Sequence, residues 1–296
     1  MIASELIEKV RRIEIKTRGL SRHVFAGQYH SAFKGQGMVF SEVREYQYGD
    51  PIRSIDWNVT ARFNKPFVKI FEEERELTVM LLVDVSGSNE FGTRARFKRE
   101  FMTELAAVLA FSAIQNNDKI GVILFSDRIE RFIPPKKGKS HILRIILELL
   151  EFKPANKGTD LSEALRFLTH AIKKRATAFL ISDFMIGGGP DLARLSDALR
   201  LANRKHDLIV LQANDPGERV LPDAGLVRFL DPETGETKWI DTSSRRARQA
   251  LSDWWGTLHS ELAGIFKRSG VDFVTLNTNE DYVTPLMQLF KKRGRK

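Results

Sequence analysis

The chain has 296 residues, 42% of them hydrophobic and 29% charged, an ordinary globular mixture that excludes long disorder, collagen-like repeats and disulfide miniproteins. It contains no cysteine, which excludes disulfides, zinc–thiolate centres and a thiol nucleophile. The net charge of +9 hints at nucleic acid, but the last six residues, KKRGRK, supply more than half of it, so a solvated basic tail is expected and nucleic-acid binding is disfavoured.

At roughly 150 residues per domain the length predicts about two domains. The opening MIASELIEKVRRIEIKTRG carries charges where a signal peptide needs an apolar stretch, and no window approaches the ~18 apolar residues of a membrane span. A cytoplasmic protein is expected. Leu6, Ile7, Val10 and Ile13 predict a short amphipathic helix over 3–18, and Gly19, Gly27, Gly35 and Gly37 mark a loop over 19–38. From Val39 to about Phe71 three β-prone pieces, MVFSEVREYQY, SIDWNVTARF and FVKIFEE, are separated by turn signals and predict a small antiparallel β module. In it Trp57 is expected as a core anchor, and Asp56 as the partner of Arg53 or Arg62.

At Leu77 the pattern changes. LTVMLLVDV is a continuous apolar run ending in a carboxylate, as in a strand buried on both faces of a parallel sheet. Helical and apolar stretches then alternate: a helix carrying Phe101 and Leu105, strands KIGVILFS and Ile129–Ile133, helices HILRIILELLEF and LSEALRFLTHAIKK, strand TAFLIS, helix DLARLSDALRLAN and strand DLIVLQA. This order predicts a doubly wound α/β domain over 76–296, with 1–75 forming the N-terminal helix, loop and β module. Residues 214–242 interrupt the alternation with a hairpin, VRFLD and TKWID flanking PETGE. A long helix after Ser244 is expected to bury Trp254 and Trp255, and the strand VDFVTLN and a terminal helix close the chain.

Ligands of open α/β sheets collect at the carboxyl ends of the strands, near the point where the strand order reverses. Asp84, Ser86 and Ser88 follow the first strand, Thr159 and Asp160 open a helix, and Asp183 ends the strand TAFLIS. Asp84, Ser86, Ser88, Thr159 and Asp183 offer only oxygen, the donor of a hard divalent cation: Mg²⁺ first, with Mn²⁺ or Ca²⁺ as substitutes. Three neutral hydroxyls leave much of the metal's charge uncancelled, so an acidic residue from a partner protein can complete the shell. Each residue also has a plain structural reading, as turn or helix cap. Their joint placement at one sheet edge favours the metal.

DVSGS, GTD and ISD in this order resemble the metal-ion-dependent adhesion site of von Willebrand factor A domains. That resemblance implies a six-stranded, mostly parallel sheet and metal-mediated protein binding without catalysis. The preceding motif, Arg44-x-Tyr46-x-x-Gly49-Asp50, Arg53-x-Ile55-Asp56-Trp57-x-x-Thr60-Ala61-Arg62 and Phe71-Glu72, resembles the bacterial "domain of unknown function 58" family in its short soluble form, without an N-terminal membrane pair. The resemblance implies a partner, a MoxR-type AAA+ ATPase or its client, for which this chain is an adaptor or co-chaperone.

The competing reading is a Mg²⁺-dependent hydrolase or phosphotransferase on the same carboxylates. A P-loop, a G-x-S-x-G elbow and a second aspartate two residues after Asp84 are all missing, so no enzyme is expected.

Overall fold

The computed structural model describes residues 37–74, 76–92, 97–186, 189–231, 233 and 235–294. The helix expected over 3–18 and nearly all of the loop over 19–38 lie outside the described residues. The rest divides into two compact units, Lys34–Leu77 and a larger one running from Thr78 to Lys296.

In the small unit, β1 (Gly37–Glu45) pairs antiparallel with β2 (Phe67–Glu74), Glu45 opposite Phe67, with a bulge between Phe40 and Glu42. The middle piece of the module, expected as a strand, is instead helix α1 (Trp57–Phe63). Capping chemistry outweighs its β-prone composition. The Asp56 carboxylate accepts the Asn58 and Val59 N–H groups at 3.0 and 3.2 Å, and Asn64 ends the helix in the left-handed region at φ 56°. Two further expectations fail with it. Trp57 is 66% exposed, because as the first helical residue it points off the ribbon and not into it. Asp56 pairs with Lys69 at 3.5 Å, not with Arg53 or Arg62. The other motif residues build turns: Arg44 grips Asp50 through two bonds of 2.7 and 2.8 Å across a bend at Gly49, whose φ is 106°.

The larger unit runs β3 (Thr78–Asp84), α2 (Lys98–Gln115), β4 (Lys119–Phe125), β5 (Ile129–Lys136), α3 (Lys139–Glu151), α4 (Leu161–Ala171), β6 (Thr177–Ser182), α5 (Pro190–Lys205), β7 (Asp207–Asn214) and the single turn α6 (Pro216–Arg219). After it come β8 (Leu226–Leu230), β9 (Thr237–Asp241), α7 (Arg245–Arg268), β10 (Asp272–Asn277) and α8 (Val283–Arg293). Six strands form one sheet in the order β10-β7-β6-β3-β4-β5, all parallel except the edge strand β5. This is a doubly wound α/β architecture. The small β8–β9 hairpin stands apart as its own antiparallel pair, Leu226 opposite Asp241.

Strand parity sorts the core into two layers. Met80, Leu82, Ile123, Phe125, Leu180 and Val210 point to the face covered by α4, α5 and α7. The alternate residues face the other side, where Phe179 meets Phe290 of α8 edge-on at 6.4 Å and α2 lies across β3, β4, β6 and β7. Helix α2 is buried from Phe101 to Ala113 all round, which is why its apolar residues do not keep to one stripe.

Two expectations about the C-terminal part need correction. On α7 Trp255 is buried, but Trp254 is 46% exposed and meets Trp255 edge-on, since consecutive helical residues diverge by about 100°. Half of the basic end is not a free tail. Helix α8 continues through Lys291, Lys292 and Arg293, and the Arg293 guanidinium holds Asp207 at 2.5 Å and also pairs with Asp272.

Candidate functional site

The sheet order makes β3 a switch point, because the chain leaves it for β4 on one side and returns to β6 on the other. The carboxyl ends of β3 and β6 therefore open into a shared crevice. Asp84 ends β3 and Asp183 follows β6, and both are 1% exposed. Ser86 and Ser88 come from the loop after β3, their hydroxyl oxygens 3.1 Å apart. The Gly87 N–H donates to Lys157 O at 2.8 Å, which brings the segment before α4 against that loop.

Local chemistry separates the structural roles from the free ones. Asp160, not Thr159, caps α4, accepting the Ser162 and Glu163 N–H groups at 2.9 and 3.1 Å. Thr159 is left to donate its hydroxyl to Glu233 Oε1 at 2.7 Å. Ser86 stands before a 3₁₀ turn without capping it through its side chain. Asp183 does both: Oδ1 accepts the Met185 N–H at 3.1 Å, and Oδ2 accepts from Lys98 Nζ at 2.5 Å. Between them Phe184 takes φ 58°, an uncommon conformation for a bulky residue, held by its N–H bond to Ser182 Oγ and by its ring against Phe266.

Asp84 is held by neutral donors. Its Oδ1 accepts the Ser86 N–H at 2.9 Å and Asn89 Nδ2 at 3.1 Å, and its Oδ2 accepts the Ser182 hydroxyl at 2.6 Å. Burial first, and the nearby charge of Asp183 second, push its pKa up to about 7. Lys98 stands wholly buried at the start of α2, paired with Asp183 and Glu218. Burial works against its charge, but those two carboxylates outweigh it and keep the ammonium protonated. A cavity of about 190 Å³ opens beside Thr159 and Glu233, walled by Asp160, Met185, Ile186 and Arg194.

The family described as "Protein of unknown function DUF58" matches residues 42–255, most of the chain and both units. The chain belongs to the DUF58 family. A relative over nearly the whole length is the uncharacterized protein Rv1480 of Mycobacterium tuberculosis, 28% identical over 298 residues, covering 98% of this chain and 90% of that one. The DUF58 chain is also similar to the conserved hypothetical protein BatB from Bacteroides thetaiotaomicron, at 18% identity and a TM-score of 0.49 over 74% of this chain and 100% of that one. An aerotolerance-related membrane protein from Bacteroides fragilis matches at 17% identity and a TM-score of 0.48, over 74% of this chain and 98% of that one. The von Willebrand A domain of SpRpn10 matches at 12% and 0.35, over 72% of this chain and 93% of that one.

These descriptions correct the expectation of a cytoplasmic protein. Chains similar to this one come from proteins described as membrane proteins, so charge and hydropathy do not assign the compartment. Among the described residues no helix is long and apolar enough to cross a membrane.

Whether the DUF58 chain suits a divalent cation is a question of its donors. Among the described residues no group of three or more His, Asp or Glu side chains is arranged to hold a metal. The oxygen set here is mixed, two carboxylates with serine and threonine hydroxyls, which suits a hard cation that keeps some of its water. Two carboxylates, Asp183 and Glu218, share the Lys98 ammonium, and among the described residues the buried Asp84 beside Asp183 has no cationic partner. Asn89 adds an orphan: it is 1% exposed, its Nδ2 donates to Asp84 and Ser86, and its Oδ1 has no partner among the described residues. The residues fit a hard divalent cation.

Sequence reasoning missed Asn89, Lys98, Ser182, Glu218 and Glu233. Ser182 and Asn89 adjoin motif residues, and Asp215-Pro-Gly-Glu218 is legible as a capping box, which it forms. Lys98 and Glu233 carry no local signal. A lysine at a helix start opposes the helix dipole and is unremarkable in the sequence RFKREF.

Proposed function

We propose that this chain is a non-enzymatic, metal-ion-dependent protein-binding module, an adaptor or co-chaperone. Asp84, Ser86, Ser88, Thr159 and Asp183 would hold Mg²⁺, with Mn²⁺ or Ca²⁺ as substitutes, and the cation would supply the positive charge that draws in a partner's carboxylate. The observation that carries this reading is Asp84: a buried carboxylate at the switch point, bonded among the described residues to neutral donors alone and facing a second carboxylate. Burying such charges without compensation is costly, and a cation between them removes the cost.

The chain's own residues divide the work. Ser182 and the Ser86 N–H orient Asp84, Lys98 fixes Asp183 while neutralising part of its charge, and the cap at Asp160 frees Thr159. The cavity beside Thr159 would leave room for an acidic side chain, and Arg194, paired with Asp160 at 3.1 Å, stands on its wall. The partner class, a MoxR-type AAA+ ATPase or its client, follows from the family resemblance. Remodelling work would come from that ATPase, since no nucleotide-binding motif occurs in the sequence.

Calorimetry with Mg²⁺ or Mn²⁺ is expected to give one weak site that Asp84→Ala abolishes and Thr159→Ala weakens. Capture of the ATPase at physiological salt is expected to be lost with EDTA in the full chain and in a deletion of the last six residues alike. Equal metal affinity in wild type and Asp84→Ala would sink the assignment. Metal-dependent turnover of phosphate or acyl esters that disappears in Asp84→Ala would favour the hydrolase instead.

A further inference from the structure

The hairpin that interrupts the α/β alternation delivers a carboxylate of this same chain to the site. Its tip is tied by three bonds from backbone N–H groups: Glu233 N–H to Asp231 Oδ1 at 2.9 Å, and Gly235 N–H to Asp231 O and Asp231 N–H to Glu236 O, each at 2.8 Å. Glu233 is thereby held half-buried, 74 residues along the chain from Thr159, whose hydroxyl it accepts at 2.7 Å.

That position is electrostatically poor without a cation. Among the described residues no basic side chain lies within ion-pair distance of Glu233. A cation held by Thr159 and Asp183 would supply the positive partner that this carboxylate lacks.

We propose that Glu233 is a ligand of the cation in the resting protein, occupying from within the chain the position that a partner's carboxylate takes on binding. This rests on the metal-site reading above. The hairpin would then act as a displaceable plug. It is suited to move: β8 and β9 form a two-stranded ribbon, and Leu226, Leu230 and Trp239 are each more than 60% exposed, so little core is lost when it swings away. A partner must compete with a tethered carboxylate, which favours partners that also engage the freed hairpin or the cavity wall.

The test uses the full chain and Mn²⁺ alone, followed by calorimetry, with acetate as the free carboxylate. Glu233→Gln is expected to weaken Mn²⁺ binding about tenfold or more, as loss of one charged ligand does. Millimolar acetate should restore part of that loss in Glu233→Gln and leave the wild type unchanged. Glu236→Gln, at the same tip, should match the wild type. If Asp84→Ala abolishes binding while Glu233→Gln binds like the wild type, the plug is overturned and the metal site stands. Equal weakening in Glu236→Gln would mean bulk charge and overturn it as well. No heat with the wild type would remove the metal site itself, and the plug with it.

Discussion

Asp84 makes the site's electrostatics measurable without knowing any partner. In the unfolded chain an aspartate titrates near about 3.9, whereas in the folded protein burial and Asp183 move Asp84 up to about 7. Between those values the folded state keeps a proton that the unfolded state has released. Stability therefore falls as pH rises from about 4 to about 7, and levels off above. In EDTA, Asp84→Asn removes this slope, so its stability relative to the wild type should rise across that window by on the order of 2–4 kcal/mol. Urea unfolding at several pH values checks it, and parallel curves for the two proteins would contradict it. His206 works in the opposite direction, since burial, with Lys205 and Arg175, holds it down at about 4. Between about 6.5 and about 4 the unfolded chain binds a proton that the folded His206 does not, so stability falls with falling pH, but equally in both proteins, and the difference isolates Asp84.

At the scale of elements, the antiparallel edge strand β5 depends on one small residue. The register of β4 against β5 shifts between Ile120 and Val122, and a Cβ on Gly121 would lie 2.8 Å from both Ile133 O and Pro135 N. Both are backbone atoms and cannot swing aside. Gly121→Ala should therefore cost about 1–3 kcal/mol through overpacking, read as a lower urea midpoint with an unchanged slope. An unchanged midpoint would mean the bulge relaxes freely. Elements also show where local signals compete. SIDWNVTARF has strand-like composition, yet the cap at Asp56 and the left-handed stop at Asn64 make it a helix. Both capping residues are visible in the sequence, but the β-prone residues between them imitate a strand.

For the whole molecule, the two units differ in how much core they own. Among the described side chains of the small unit Val68 is the buried hydrophobic one, whereas the larger unit has two full layers around its sheet. A two-stranded ribbon with one short helix falls below what sustains an independent fold. A peptide spanning 34–77 should therefore give random-coil amide dispersion in solution. Dispersed resonances and cooperative melting of that peptide would show that its exposed aromatic residues, Tyr48, Trp57 and Phe63, contribute more than their exposure implies.

The sequence by itself determined the strands of the sheet, the helices between them, the hairpin after β7 and the loops that carry Asp84, Ser86, Ser88, Thr159 and Asp183. These are local properties: a strand covered on both faces must be apolar throughout, and a polar residue ending such a run must sit at a sheet edge. Only the tertiary structure decided which side chains meet across that edge. Lys98 reaches Asp183 from 85 residues away and Glu218 from 120, and Glu233 reaches Thr159 from 74. Those meetings depend on how far each helix and hairpin carries the chain across the sheet, and no pattern of neighbouring residues encodes that. Exposure of Trp57 and Trp254 was hidden for the same reason, because burial belongs to what packs against a residue and not to its type.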